Sequence, residues 1–211
     1  MNNLNRVGSR VGSIVALLAT IYLIIDSVHL PLFVHSEPAP QREQYRHWQK
    51  LDADGNTMAP DAGPWQCVVD HRSGLVWENK SRDEGIHHGR WTYVWQGQAS
   101  RRSGEGSCAG LSRCDVSEFV RQANLQRWCG FNDWRVPQLA ELQTLLDHSY
   151  PPPGPLVCPC FLPNTARSSY WATTADRQRR YVGLNFQTGE SNVFPDYAAL
   201  YLRLVRGPAK L

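Results

Sequence analysis

Residues Val11 to Ile25 (VGSIVALLATIYLII) carry no charge and are largely apolar, with Arg6 and Arg10 just before them. This run constrains the organisation of the chain more than any other stretch. It extends to Val34 if Asp26, His29 and Pro31 are tolerated. A helix over residues 11–34 would be about 36 Å long, against a hydrocarbon core of about 30 Å. Asp26 and His29 would then fall near the far interface, where polar groups reach headgroups or water. The arginines predict that the N-terminal end stays in the cytoplasm and that the remainder crosses the membrane. Two other readings compete. One is a cleavable signal peptide ending near Val34-His35-Ser36, and the other is a buried helix of a cytosolic protein. The reading adopted is a retained anchor: residues 1–10 cytoplasmic, 11–34 a transmembrane signal-anchor, 35–50 a stalk or linker, and 51–208 a globular domain.

Export makes the cysteines legible. Cys67, Cys108, Cys114, Cys129, Cys158 and Cys160 form an even set, and in an oxidising compartment such a set predicts a disulfide framework. Cys158 and Cys160 are poorly placed to pair with each other across a single proline, and the other connectivities stay open. A metal site or a catalytic thiol would need a different pattern. There is no Cys-x-x-Cys, and no His stands at zinc-finger spacing.

The chain is 42% hydrophobic and 19% charged, which argues against wholesale disorder and against several membrane passes. A net charge of +3 does not make nucleic acid a partner. The positive charge is spent almost wholly on arginine, with Lys only at 50, 80 and 210.

Local patterns predict an α+β domain. Asp52-Ala-Asp-Gly-Asn56 has its glycine too early for an EF-hand and reads as a tight turn. Leu75–Asn79, Trp91–Trp95 and Tyr170–Thr174 read as strands. Asp115 followed by Glu118 starts a helix whose apolar face is Val116, Phe119, Val120 and Ala123, ending before Gly130. A second helix opens at Val136-Pro137 with the stripe Leu139, Leu142, Leu145 and Leu146. Tyr150–Pro163 is broken by prolines. Arg180–Phe186 and Glu190–Phe194 flank Gln187-Thr-Gly189 as a hairpin, and Tyr201–Arg206 closes the domain.

The succession Lys50-Leu-Asp-Ala-Asp-Gly55, Trp65-Gln-Cys-Val68, Asp70 and Ser73-Gly-Leu-Val-Trp-Glu78 resembles one bacterial family. So do Cys129-Gly-Phe-Asn-Asp-Trp-Arg-Val-Pro137, Glu141-Leu142, Tyr170-Trp171 and Leu204-Val-Arg-Gly207. That family is the Lcl C-terminal domain of collagen-like adhesins, and the resemblance spans about residues 50–208. It implies a C-type-lectin-like fold with two helices and several short antiparallel strands, here preceded by one transmembrane helix. It also implies a binding module rather than an enzyme. No collagen-like stalk is present; a single apolar run stands in its place. The expected location is therefore the bacterial inner membrane, single-pass, with the C-terminal domain in the periplasm.

Asn132-Asp133-Trp134 echoes a calcium-ligand element of true C-type lectins, but the companion triplet is absent, so Asp133, Trp134 and Arg135 read as structural. His87-His88 reads as a solvated loop. Neither a catalytic constellation nor a metal or cofactor site is expected. The candidate binding residues are two arginine clusters, Arg101-Arg102 and Arg177, Arg179 and Arg180. Their planar forks match sulfate, phosphate or carboxylate. The expected partners are inner-membrane lipid through residues 11–34 and either a protein in a membrane complex or an acidic glycan. The functions expected are an accessory or assembly subunit capping such a complex, or an adhesin-like binder of sulfated glycans.

Overall fold

Neighbouring side chains in a strand face opposite sides of a sheet, so a strand with one wet face alternates in burial. Leu75-Val-Trp-Glu78 does not alternate: all four residues are buried, and both faces of that strand must be covered. The structure, a computed structural model, describes residues 45–95, 106–150, 152–174 and 181–207. The described residues form β1 (Trp48–Leu51), β2 (Cys67–Asp70), β3 (Leu75–Glu78), α1 (Val116–Leu125), α2 (Leu139–Gln143), β4 (Ser169–Thr173), β5 (Tyr181–Asn185), β6 (Ser191–Val193) and β7 (Val205–Arg206). One antiparallel sheet runs β1-β2-β3-β7 and a second runs β4-β5-β6.

Two apolar cores result, and adjacent residues divide between them. Val76 joins Cys67, Phe119, Ala123, Cys129, Trp171 and Leu204 in the core under α1. Its neighbours Leu75 and Trp77 join Val68, Leu142, Tyr170, Leu184 and Phe186 in the core under α2. The same division separates Trp171 from Tyr170 and Ala172 in β4. Trp77 and Trp171 are fully buried, and truncating either to alanine in such a core costs about 3–5 kcal/mol.

α1 spans its whole apolar stripe and ends before Gly130 as expected, whereas α2 is shorter than its stripe suggests. α1 starts as expected, with Asp115 Oδ1 accepting the Glu118 amide at 2.8 Å. It ends at Leu125, where the Asn124 side chain accepts from the Trp134 amide at 2.7 Å and donates to its carbonyl at 2.9 Å. The chain then passes through left-handed Arg127 (φ 50°) and Cys129 (φ 51°) into a short 3-10 turn. In α2, the amide of Gln138 is capped by Glu141 Oε2 at 2.8 Å. Pro137 stands outside the helix, its carbonyl accepting the Thr173 amide at 2.9 Å. Leu145 and Leu146 follow α2 in irregular backbone.

The β5–β6 hairpin forms as read. Trp91–Trp95 makes isolated bridges, Tyr93 to Leu200 and Val94 to Asp115, rather than a strand. β1 begins at Trp48, inside the stretch 35–50 read as a linker. The 52–56 turn is confirmed, with Asp52 Oδ1 accepting the amides of Asp54 and Asn56 at 3.0 and 2.8 Å. It packs directly on the 3-10 turn. A Cβ on Gly55, whose φ is +86°, would lie 2.5 Å from the Cys129 carbonyl oxygen, so only glycine fits.

Two expectations are corrected here. First, no helix of the described residues is long and apolar enough to cross a membrane, and residues 11–34 lie outside them. The transmembrane helix, the single-pass inner-membrane topology and periplasmic placement, the lipid partner and the functions built on anchoring are therefore not carried further. Second, the bridges are Cys67–Cys129, Cys108–Cys114 and Cys158–Cys160, so the pair set aside on the sequence does form. The chain folds back at this point, with the amides of Phe161 and Leu162 both reaching the Cys158 carbonyl at 3.3 and 3.1 Å. That reversal brings the two Cα atoms to 5.2 Å, within disulfide range.

Candidate ligand-binding cleft

Polar side chains gather in two places, one sealed and one open. The sealed group lies at the end of β3. Glu78 is fully buried; its Oε1 accepts from Lys80 Nζ and His87 Nδ1, both at 2.7 Å, and its Oε2 from the Leu204 amide at 2.8 Å. An ionised carboxylate only accepts, so the imidazole proton sits on Nδ1 of His87. Arg203, also fully buried, donates Nη1 to the Glu78 carbonyl at 2.5 Å and Nη2 to Thr165 Oγ1 at 2.8 Å. The His87 ring stacks on Trp128 with centroids 3.6 Å apart, and Lys80 Nζ lies 4.6 Å from the Phe119 ring centre.

Burial alone would push the Glu78 carboxyl up, but Lys80 and His87 outweigh it and hold it down at about 2. Burial lowers His87, against the opposing pull of Glu78. The solvated loop expected at His87 is corrected here, since His87 is only 4% exposed. Two signals in the sequence point to burial: Glu78 ends a wholly apolar strand, and Ile86 precedes the histidine.

The open group surrounds a cleft of about 200 Å³ between the chain entering β1 and the segment after α2. Tyr45, His47 and Trp48 line one side, and Thr144–His148 with Cys158, Phe161 and Leu162 line the other. Trp48 stacks on Phe161 with centroids 5.8 Å apart, and Tyr45 tilts against the same ring at 5.8 Å. The Tyr45 hydroxyl donates to Asp147 Oδ2 at 2.5 Å across 102 residues of sequence. Asp147 Oδ1 accepts the Ser149 hydroxyl at 2.5 Å and the Ser149 amide at 2.9 Å.

Partial burial would raise the Asp147 carboxyl, but the bonds from Ser149 and Tyr45 outweigh it and keep it below the usual range. The Tyr45 phenol is raised, first by burial and then by Asp147. Asp147 thus fixes Tyr45, whose ring packs with Trp48 against Phe161.

The proline-rich wall is held by several bonds. The Asp147 amide donates to the Leu156 carbonyl at 2.8 Å, and the Leu156 amide to the Phe186 carbonyl at 2.6 Å. Trp65 Nε1 donates to the Phe161 carbonyl at 2.9 Å. Lys50 is absorbed by the domain, donating to the carbonyls of Pro60 and Ala62 at 2.7 and 3.1 Å over the Trp65 ring.

Cys158 stands out on the sequence as a bridge cysteine and Leu145 and Leu146 as part of a helical stripe, but nothing there marks Tyr45, His47, Trp48, Asp147 or Phe161. Aromatic residues in a stretch read as a linker and a proline-broken loop gave no periodic signal, and only the fold brings them together. The arginines that were singled out, Arg101, Arg102, Arg177, Arg179 and Arg180, lie outside the described residues. The structural reading of Asp133, Trp134 and Arg135 agrees with the geometry. Arg206 pairs with both oxygens of Asp133 at 2.7 and 3.0 Å, and Arg135 forks onto Glu141 at 2.7 Å on each arm. Trp134 is buried, with Nε1 donating to the Trp128 carbonyl at 2.9 Å. Among the described residues, no group of three or more His, Cys, Asp or Glu could hold a metal ion.

Among the described residues, an α+β domain with two short α-helices, two antiparallel sheets and three internal bridges defines the class. The model of the Lcl C-terminal domain matches residues 66–206, and the chain belongs to that family. No curated protein and no solved structure matches the chain, so the C-type-lectin-like implication of the resemblance is not carried further. One side of the cleft, Tyr45 to Trp48, precedes the matched region.

Proposed function

We propose that the domain is a non-enzymatic binding module and that the cleft between β1 and the α2 exit receives its ligand. The observation that carries this reading is the convergence of Tyr45, Trp48 and Phe161, with Asp147 fixing the phenol, around an open space of about 200 Å³. That volume takes a single ring rather than a polymer segment, and drug-sized sites are larger. The lining offers the half-buried rings of Tyr45, Trp48 and Phe161 for apolar contact, and the Tyr45 oxygen and the exposed His148 for polar contact. The residues that most resemble acid–base machinery, Glu78, Lys80 and His87, are at most 4% exposed and are occupied by one another. That arrangement supports binding over catalysis.

The test is an NMR titration of the full chain with single-ring probes, namely neutral hexopyranoses and substituted phenols, at millimolar concentrations. Saturable shifts are expected at Tyr45, Trp48 and Phe161, and their loss in Trp48→Ala. Shifts that map elsewhere, or that persist in Trp48→Ala, would overturn the assignment.

A further inference from the structure

The three bridges differ in what they can do for the fold. Cys67–Cys129 closes a separation of 62 residues, and both cysteines are fully buried. Cys108–Cys114 closes six. Cys158–Cys160 closes two, around an exposed Pro159. A bridge constrains the unfolded chain less as its loop shortens, so Cys158–Cys160 contributes least to folding. It nevertheless sits in the wall of the cleft.

Its two sulfurs also have unlike surroundings. Cys158 is 7% exposed, while Cys160 is half-buried. The Tyr150 hydroxyl donates to Cys158 Sγ at 3.0 Å, and the Cys160 amide reaches the same sulfur at 3.3 Å. Donors aimed at a sulfur stabilise it as a thiolate, and the better-stabilised thiolate is the better leaving group.

We propose that Cys158–Cys160 is a thiol–disulfide exchange site, opened by attack of an external dithiol on Cys160 Sγ with Cys158 as the leaving thiolate. The incoming thiolate forms a bond to Cys160 Sγ as the Cys158–Cys160 bond breaks, and the electron pair passes to Cys158 Sγ. There the Tyr150 hydroxyl and the Cys160 amide receive it. The second thiol of the dithiol, deprotonated, then attacks its own sulfur in the mixed disulfide and releases Cys160. The dithiol is oxidised to a disulfide, the protein bridge is reduced, and the two protons of the dithiol end on Cys158 and Cys160. Because Cys158 lines the cleft beside Phe161, the exchange acts on the wall of that cleft. The chemistry does not depend on any ligand binding there.

The full chain, without denaturant, is treated with low concentrations of dithiothreitol, quenched with N-ethylmaleimide at intervals, and analysed by peptide mass spectrometry. Cys158 and Cys160 are expected to label together and first, at least about tenfold faster than Cys67 and Cys129. With limiting glutathione in place of the dithiol, the adduct is expected on Cys160 and maleimide on Cys158. Tyr150→Phe is expected to slow this one bridge by about two- to fivefold, because a less stabilised thiolate leaves more slowly. Glutathione on Cys158, equal rates for all three bridges, faster reduction in Tyr150→Phe, or free Cys158 and Cys160 before any reductant would each overturn the proposal. The glutathione mapping needs no substitution, so it reads out even if Tyr150→Phe does not fold.

Discussion

The sealed cluster and the open cleft are built from similar residues, each around one carboxylate, yet they differ in what surrounds it. Glu78 is bonded by Lys80 and His87, which follow its strand, and by the Leu204 amide just before β7, and no face of it meets solvent. Asp147 is half-buried and bonded to a phenol and a serine, beside open space. A buried charge demands complete pairing, because an uncompensated ion in a low-dielectric interior costs several kcal/mol. A carboxylate at a cleft edge carries no such demand and leaves room for a ligand. The cluster lies within the region that defines the family, whereas the cleft draws one side of its lining, Tyr45, His47 and Trp48, from residues before it.

If the cluster is framework, breaking it must cost far more than altering the cleft. Glu78→Gln leaves Lys80 and Arg203 buried without their counter-charge, and the expected loss is about 3–5 kcal/mol in urea unfolding. A loss below about 1 kcal/mol would mean that solvent reaches the cluster and that the contrast is false. The bridges give the next contrast. Replacing Cys67 and Cys129 by alanine should cost about 4 kcal/mol, against about 1 kcal/mol for Cys158 and Cys160, from loop length alone. Equal costs would indicate that the short bridge shapes the native wall rather than the unfolded chain.

The framework was largely legible in the sequence because framework residues obey local rules. The Asp115 cap, the β5–β6 turn, the Asp52 turn and the apolar strand at Leu75 each follow from neighbours in the chain. Where reading failed, non-local contacts won over local pattern. Pro137 pairs with Thr173 instead of entering α2. His87 looks solvated until Glu78, nine residues away, is folded against it. The cleft was illegible for the same reason in stronger form: Tyr45 and Asp147 are 102 residues apart, and neither carries a periodic or motif signal. The arginines at 101, 102, 177, 179 and 180 stand out in the sequence because charge is visible without a fold, whereas an aromatic cleft is not.

Acid should separate the two regions further. The unfolded chain protonates His87 below about pH 6.5, whereas burial holds the folded imidazole below its usual range. The unfolded state therefore binds more protons, and stability is full above that pH and falls as pH drops. Glu78 adds to the fall lower down, between its ordinary 4.5 and about 2 in the fold. Each such group contributes a slope of up to about 1.4 kcal/mol per pH unit. In urea midpoints measured against pH, His87→Gln should flatten the upper part of the slope and leave the part below pH 4.5. A slope unchanged by His87→Gln would place that imidazole in contact with water.

The smallest effect belongs to the cleft. Tyr45→Phe removes one hydroxyl that donates to a carboxylate with two other bonds, at a position open to water. The expected cost is about 0.5–1.5 kcal/mol, the ordinary net worth of one hydrogen bond. The Asp147 carboxyl, losing one of the donors that hold it down, should titrate higher by carbon-detected NMR. The Tyr45 ring itself is retained against Phe161 by packing, so the cleft should keep its shape while losing one polar contact. A stability loss as large as that of Glu78→Gln would make Tyr45–Asp147 a second framework lock. The cleft would then be a seam of the fold, and the case for a ligand there would fall with it.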